Sequence, residues 1–391
     1  MYVVAMTSRV SGHKAIPGPF LRRPSAETVS ANERLLLDLV RRSEGVSRAD
    51  LARTTGLTGQ SISRIVDELV ERGLMRLGPS TTKGARGQPT APVSLRPDAV
   101  YTVGVSLMTD ALALGLMNFE GELLASVHAP LTSTAVDEVL GVVRAFIDQT
   151  FDRLALDRRR LLGAGLGVTG YFVGAGGRVN PPRHLESWAL IDLVEVCGEG
   201  LGLPVWVDND GNVAAVGEGL NGVGRWADNF AYLYFAAGFG GGLVADGRPF
   251  RGAHGNAGEF ASILPADYES PNLERLRTLV ADGGRPFANL GEMLSAFDLA
   301  WPGVDRWLDE AERSVGLVVS AISAIADPDA IVLGGRLPPV LAEALIPRLF
   351  YFNPPRRDHP RPVPRVVTSE VRGDAALIGA AALPLKALFF G

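Results

Sequence analysis

The chain has 391 residues, more than one hydrophobic core usually serves, so two or three domains are expected. Hydrophobic residues at 47% and charged residues at 21% exclude a wholly disordered chain, and the single cysteine, Cys197, excludes an intrachain disulfide and a four-cysteine metal site. The formal charge of −5 is unevenly spread: residues 1–97 hold 15 Lys and Arg against 8 Asp and Glu, a net of +7, and the remainder carries −12. A basic head on an acidic body points to a small nucleic-acid-binding module joined to a unit with a different ligand. No uncharged apolar run reaches the roughly 20 residues of a membrane helix. The opening MYVVAMTSRVSGHK sets its apolar residues ahead of its basic ones, the reverse of a signal peptide. Together with the cysteine count, these features fit a soluble cytoplasmic protein without membrane partners.

Residues 1–30, rich in Gly, Pro, Ser and basic residues without sustained periodicity, are expected to form a flexible tail. From Ala31 the pattern is helical. Leu35, Leu36, Leu39 and Val40 predict a first helix to about Ser43. Ser47 before Arg48-Ala49-Asp50 reads as an N-cap with an acidic third position, opening a second helix that stops at Gly56. Thr58 caps a third helix with the apolar stripe Ile62, Ile65, Val66, Leu69 and Val70, whose opposite face starts with Gln60, Ser61 and Arg64. Helix, tight turn and a helix with a polar N-terminal face is the helix-turn-helix order, in which Gln pairs with adenine and Arg with guanine in the major groove. Leu74–Leu77 and Ala91–Leu95 are expected to pair as strands flanking a wing that carries Lys83 and Arg86 toward phosphate or a minor groove. A helical protein-interaction domain would share the helices, but not the combined capped turn, basic balance and basic wing. Thr58, Gln60, Ser61, Arg64, Lys83 and Arg86 are the expected contacts to double-stranded operator DNA.

Residues 98–391 alternate strand-like and helix-like segments, an α/β pattern. Tyr101–Leu116 and Glu122–His128 read as strands joined at N-F-E-G-E, and Ala231–Phe235 and Gly242–Ala245 flank a Gly-rich turn. Two such openings imply a duplicated, two-lobed body with a ligand cleft between similar halves. Three stretches are candidates to line it. In VWVDNDGNVAAVGEG an apolar strand ends at Asp208-Asn209-Asp210, where a carboxylate can bind a hydroxyl or act as a base, although a plain helix N-cap looks the same. The glycines of AAGFGGGL at 236–243 allow close approach of a phosphate or sugar, or simply a tight hairpin. GAHGNAGEF at 252–260 presents Glu259 on a Gly-rich loop.

The motifs D-N-D-G-N, G-F-G-G-G-L-V-A-D-G-R-P-F-R-G-A-H-G-N-A-G-E-F, D-P-D-A-I-V-L-G-G at 327–335 and D-A-A-L-I-G-A-A at 374–381, in this order, resemble the ROK family of repressors and sugar kinases over residues 31–391. The resemblance implies a winged helix-turn-helix at 31–96 on a two-lobed actin-like (ribonuclease H-like) sugar-kinase body. Its first lobe is expected at 97–210 and 374–391 and its second at 211–373. The same resemblance assigns Asn209, Asp210 and Glu259 to sugar hydroxyls, with Asp210 in the kinase-base position, and matches Glu274 of N-L-E-R-L to a later sugar-contacting glutamate.

This sequence also departs from the family pattern. Where the kinases carry a D-x-G-G-T phosphate loop, it reads V-G-V-S-L-M-T, with Ser106 for the acidic residue that helps hold magnesium and Leu107 and Met108 for the glycines. Ala237 replaces a hydroxyl residue of the second phosphate loop. The family's zinc ligands are missing as well: G-E-F-A-S-I-L-P-A-D-Y contains no cysteine, and Ser262 stands in the histidine position. The expectation is therefore a sugar-responsive transcriptional repressor, oligomeric as a dimer or tetramer, with a catalytically silent body and no ATP, zinc or other cofactor. Two other readings stand beside it: an ATP-dependent sugar kinase that happens to carry a DNA-binding head, and a regulator governed by a protein partner.

Overall fold

The protein is described from a computed structural model covering residues 29–43, 45–79, 91–174, 177–353, 357 and 359–390. The head begins with helix α1 (Ala31–Arg41), which is capped reciprocally: Ser30 Oγ accepts from the Glu33 backbone N–H, and the Glu33 carboxylate accepts from Ser30 N at 2.6 Å. Ser47 and Asp50 build the same box at α2 (Arg48–Thr55), and Gly56 ends that helix at φ 71°, a left-handed position glycine fills without strain. Thr58 caps α3 (Gly59–Glu71), and strands β1 (Met75–Leu77) and β2 (Val93–Leu95) pair antiparallel with Met75 opposite Leu95. Ile62, Ile65, Val66 and Leu69 are buried as expected. In α1 the face differs: Leu36, Leu37 and Val40 are buried, whereas Leu35 is 43% exposed and Leu39 only partly covered.

The body continues with β3 (Tyr101–Leu107), β4 (Ala111–Asn118), β5 (Leu123–Pro130), α4 (Val136–Leu154) and β6 (Leu161–Val168). A short hairpin of β7 (Tyr171–Phe172) and β8 (Val179–Asn180) precedes α5 (Leu193–Leu201) and β9 (Val205–Asn209). Helix α6 (Asp210–Asn221) leads into β10 (Phe230–Phe235), β11 (Phe239–Ala245) and β12 (Arg248–Phe250). Helices α7 (Leu273–Asp282), α8 (Leu290–Ser295) and α9 (Val304–Ile325) follow, then β13 (Ala330–Gly335), α10 (Pro339–Leu345), β14 (Arg365–Thr368) and α11 (Ala375–Leu388). The two large sheets run β5-β4-β3-β6-β9 and β12-β11-β10-β13-β14. In each, the first strand pairs antiparallel with the hairpin that follows it and parallel with the later strands. This shared order is the structural form of the sequence duplication.

Two strand expectations are corrected. The apolar run 101–116 is two strands rather than one, because the chain turns at Met108–Asp110, the point where its apolar pattern yields to Thr109 and Asp110. The Gly-rich stretch is mostly strand: the turn is Ala236–Gly238, and Gly240, Gly241 and Gly242 pair with Tyr234, Leu233 and Tyr232. Packing explains those glycines, since a Cβ on Gly242 would lie 2.8 Å from Ala215 Cβ and one on Gly211 would lie 2.6 Å from Gly241 O. Their absence lets the first turn of α6 rest directly on β11.

Helix α11 lies across the first sheet and crosses α6, which also packs on the second sheet. At the crossing the two backbones nearly touch. A Cβ on Gly379 would stand 1.6 Å from the Val213 carbonyl oxygen, and one on Gly217 would stand 2.1 Å from the Ala375 carbonyl oxygen. No rotamer relieves a clash with backbone, so Gly379→Ala should force the helices apart and cost roughly 1–3 kcal/mol or more. Urea unfolding should show this as a lower midpoint; a midpoint equal to wild type would contradict the close crossing.

Candidate ligand cleft and nucleic-acid face

The cleft is built where β9 ends and α6 begins. Asn209 caps α6, its side-chain oxygen accepting from Gly211 N at 2.7 Å and Asn212 N at 3.3 Å while its amide donates to Gly170 O at 2.8 Å. The next residue, Asp210, accepts from the Thr169 hydroxyl at 2.7 Å and from Gly211 N at 2.9 Å. Beneath them the fully buried Asp208 pairs with Arg251, Nε to Oδ2 at 3.1 Å, and also accepts from Asn209 N and Asn212 Nδ2. Arg251 and Asn256, both on the loop that presents Glu259, thereby connect the second lobe to the first. The Asn256 side chain exchanges two hydrogen bonds with the Phe172 backbone, at 2.7 and 3.0 Å.

These contacts frame a cavity of about 460 Å³ lined by Thr169, Asn209, Asp210, Glu259, Tyr171 and Asn180 on its polar side. Met108, Asp110, Ala236, Ala237, Gly238 and Arg336 close another part of its wall. Burial raises the pKa of Asp210, a shift only partly offset by the hydrogen bonds from Thr169 and Gly211. Glu259 is likewise raised, first by burial and then by the charge of Asp210. Two carboxyl groups that resist simultaneous ionisation, next to a hydroxyl and an amide, offer several donors and acceptors to a polyhydroxyl ligand.

Glu274 is placed elsewhere. It sits in the first turn of α7, accepts from Arg277 Nε at 2.7 Å, and is not among the residues that line the cavity. Of the residues departing from the phosphate-loop pattern, Ser106 is fully buried with an unpartnered hydroxyl, and Leu107 is buried in the core of the first lobe. Met108 does reach the cavity wall, as does Ala237. Sequence reasoning missed an ion pair between the lobes: Arg336, just after β13, holds both oxygens of Asp110 at 2.6 and 2.9 Å, with both side chains about one-fifth exposed. Thr169 was also missed; its only signal is its position just past an apolar strand parallel to the strand that runs into Asp210.

On the head, Gln60 and Arg64 are exposed along one side of α3, and Arg64 reaches Glu68 one turn later at 2.7 Å. Thr58 and Ser61 are engaged with one another: the Thr58 hydroxyl accepts from Ser61 N and donates to Ser61 Oγ at 2.9 Å. Lys83 and Arg86 lie outside the described residues. Arg53 adds an exposed cation at the end of α2, paired with Asp50.

Residues 102–271 match the model of the ROK family, and residues 28–85 match that of the MarR family. The chain thus carries a ROK-type domain behind a MarR-type winged helix, within a sugar-kinase-like α/β body. It is 28% identical to the uncharacterised protein y4fQ of Sinorhizobium fredii over 94% of each chain. It is also 28% identical to the xylose repressor of Caldicellulosiruptor bescii over 58% of this chain and 57% of that one, so the match spans less than two thirds of that relative. A ROK-family transcriptional regulator described as a homologue of the E. coli MLC protein shares the fold, with a TM-score of 0.64, 22% identity, and coverage of 92% of this chain and 95% of that one. Among the described residues, no helix is long and apolar enough to cross a membrane.

The raised pKa of Asp210 has a definite sign for stability. A carboxyl whose folded pKa lies above its unfolded value favours folding while protonated, and that contribution is lost as pH rises through the folded value. Asp210→Asn should therefore be more stable than wild type at pH 7, by roughly 1 kcal/mol as for other single stabilising substitutions, and unfold at a higher temperature. The difference should shrink as pH falls toward the ordinary Asp range near ~4. Calorimetric melts across that range check it; equal melting temperatures at pH 7 would show that the carboxylate is not strained.

Proposed function

We propose that this protein is a sugar-responsive DNA-binding transcriptional repressor whose kinase-like cleft binds its effector without phosphorylating it. One observation carries the reading: the cavity lining combines Asn209, Asp210, Thr169 and Glu259, groups suited to hydroxyls, with Met108 and the Asp110–Arg336 ion pair. Phosphoryl transfer depends on positioned phosphate oxygens and a metal held by carboxylate. Here Ser106 offers no charge, and the nearby carboxylate, Asp110, is already bound to a guanidinium. The remaining groups support binding and orientation of a sugar, not catalysis. Glu274, paired with Arg277 away from the cavity, is left out of the proposed contacts.

The head supplies the output. Gln60 is exposed toward the major groove, Arg64 would exchange its Glu68 partner for a base edge there, Thr58 and Ser61 shape the helix start, and Lys83 and Arg86 are the proposed wing contacts. A dimer or tetramer would place paired recognition helices on an inverted repeat, half-sites about one turn apart or a multiple. Since several similar proteins are named xylose repressors, D-xylose is the first effector to test.

The experiment is a gel-shift titration of an operator fragment selected from upstream DNA, at fixed salt, with and without D-xylose and a panel of other aldoses. A sugar of the panel should weaken binding at least about tenfold, equivalent to ~1.4 kcal/mol. Arg64→Ala should lose roughly 1–3 kcal/mol of discrimination between operator and random DNA, with non-specific binding little changed. Sugar-dependent ATP consumption that disappears in Asp210→Asn would establish the kinase reading instead. Operator binding indifferent to every sugar would remove the effector.

A further inference from the structure

The head is held to the body by two arginines of α1, and each grips the end of a body helix. Arg34 donates to four carbonyl oxygens at the C-terminal end of α11: Lys386 at 3.1 Å, Ala387 at 3.3 Å and Phe390 at 2.8 Å from Nη1, and Leu388 at 3.1 Å from Nη2. The last turn of a helix leaves its carbonyls without intrahelical partners and carries partial negative charge, so a guanidinium there both caps and neutralises it. Arg41, whose side chain is only 5% exposed, donates to Leu220 O at the end of α6 at 3.2 Å and lies over the Phe390 ring at 5.4 Å. Asp38 fixes that guanidinium by bonds to Nε and Nη2. Phe390 in turn stacks on Phe119, beside the edge of Phe389.

Helix α6 therefore has one end in the cleft, at Asn209 and Asp210, and the other in the grasp of the DNA-binding head. Its 12 residues span about 18 Å as one rigid element. We propose that Arg34 and Arg41 are the positioning residues that set the orientation of the head. Arg34 is the fixed pivot on α11, and Arg41 is the contact through which a ligand engaged at the start of α6 moves the recognition helix. The clasp stands on the interface alone; the transmission step rests on the sugar-responsive reading.

The test uses the full chain with spin labels on cysteines introduced by R53C in the head and D137C in the body. Cys197 stays unlabelled because it is buried and its thiol is pushed up to about 12. Pulsed dipolar measurements on the ligand-free protein should give one narrow head-to-body distance that broadens in R34Q and in R41Q, with R34K and R41K intermediate. Distances as narrow in R34Q and R41Q as in wild type would overturn the clasp, whatever the ligand. For transmission, R41Q should keep the calorimetric affinity for the effector sugar, while losing most of the ratio between operator affinities measured without and with that sugar. A full change in R41Q would overturn transmission. A wild type whose operator binding ignores all sugars would remove the regulator reading and the transmission step together, leaving the distances to decide the clasp.

Discussion

The near-contact of α6 and α11 at Gly217 and Gly379 is the constraint on which the rest of the body depends. Helix α11 is apolar on nearly every side because it is enclosed by the first sheet and by α6, and its chain end supports the head. Helix α6 is buried along most of its length between α11 and the second sheet. Side chains at the crossing would push α11 and the first sheet away from α6 and the second sheet, so the small residues there hold the two lobes together. The same closeness explains why so much of the D-N-D-G-N-V-A-A-V-G run is small or buried: it packs against backbone on two faces and leaves only its first turn to meet a ligand.

Much of this was legible in the sequence, and what was not has identifiable causes. Both boxes of the head are local devices, completed within four residues, and the Ser47–Asp50 pair and the Thr58 cap could be read directly. The ROK motifs and their order gave the two-lobed body. Contacts between distant segments were invisible: Asp110 and Arg336 are 226 residues apart, and neither belongs to a distinctive pattern. The misread face of α1 has a similar origin. This helix serves both the head and the body, so its apolar residues do not follow a single stripe, and Arg34 and Arg41 look like ordinary surface charges until α11 is set beside them.

Glycine was the least reliable letter. A run of glycines reads equally well as a phosphate cradle, a turn or a strand over which another backbone passes, because all three need the missing Cβ. Here two of the uses are divided within eight residues: Gly238 turns the chain at the cavity wall, whereas Gly241 and Gly242 sit beneath α6 and Phe260. The stretch is thus no sign of a nucleotide site by itself, since the fold alone demands part of it.

The carboxyl groups of the cleft give the complementary argument. A buried Asp210 costs stability when ionised, and its charge adds to the burial that already disfavours ionising Glu259. A body that only needed to fold would be better served by an amide at either position. Two acids beside Thr169 and Asn209 offer donors and acceptors to hydroxyls, and under the proposed reading recognition is all that regulation requires. A ligand changes DNA affinity only by binding two conformations unequally. Asp208–Arg251, Asn256–Phe172 and Asp110–Arg336 each join the lobes, so any change in closure must alter contacts at the cleft walls that a bound sugar would share. The cleft is therefore the part of the molecule where ligand contacts and lobe contacts compete most directly, and α6 begins inside it.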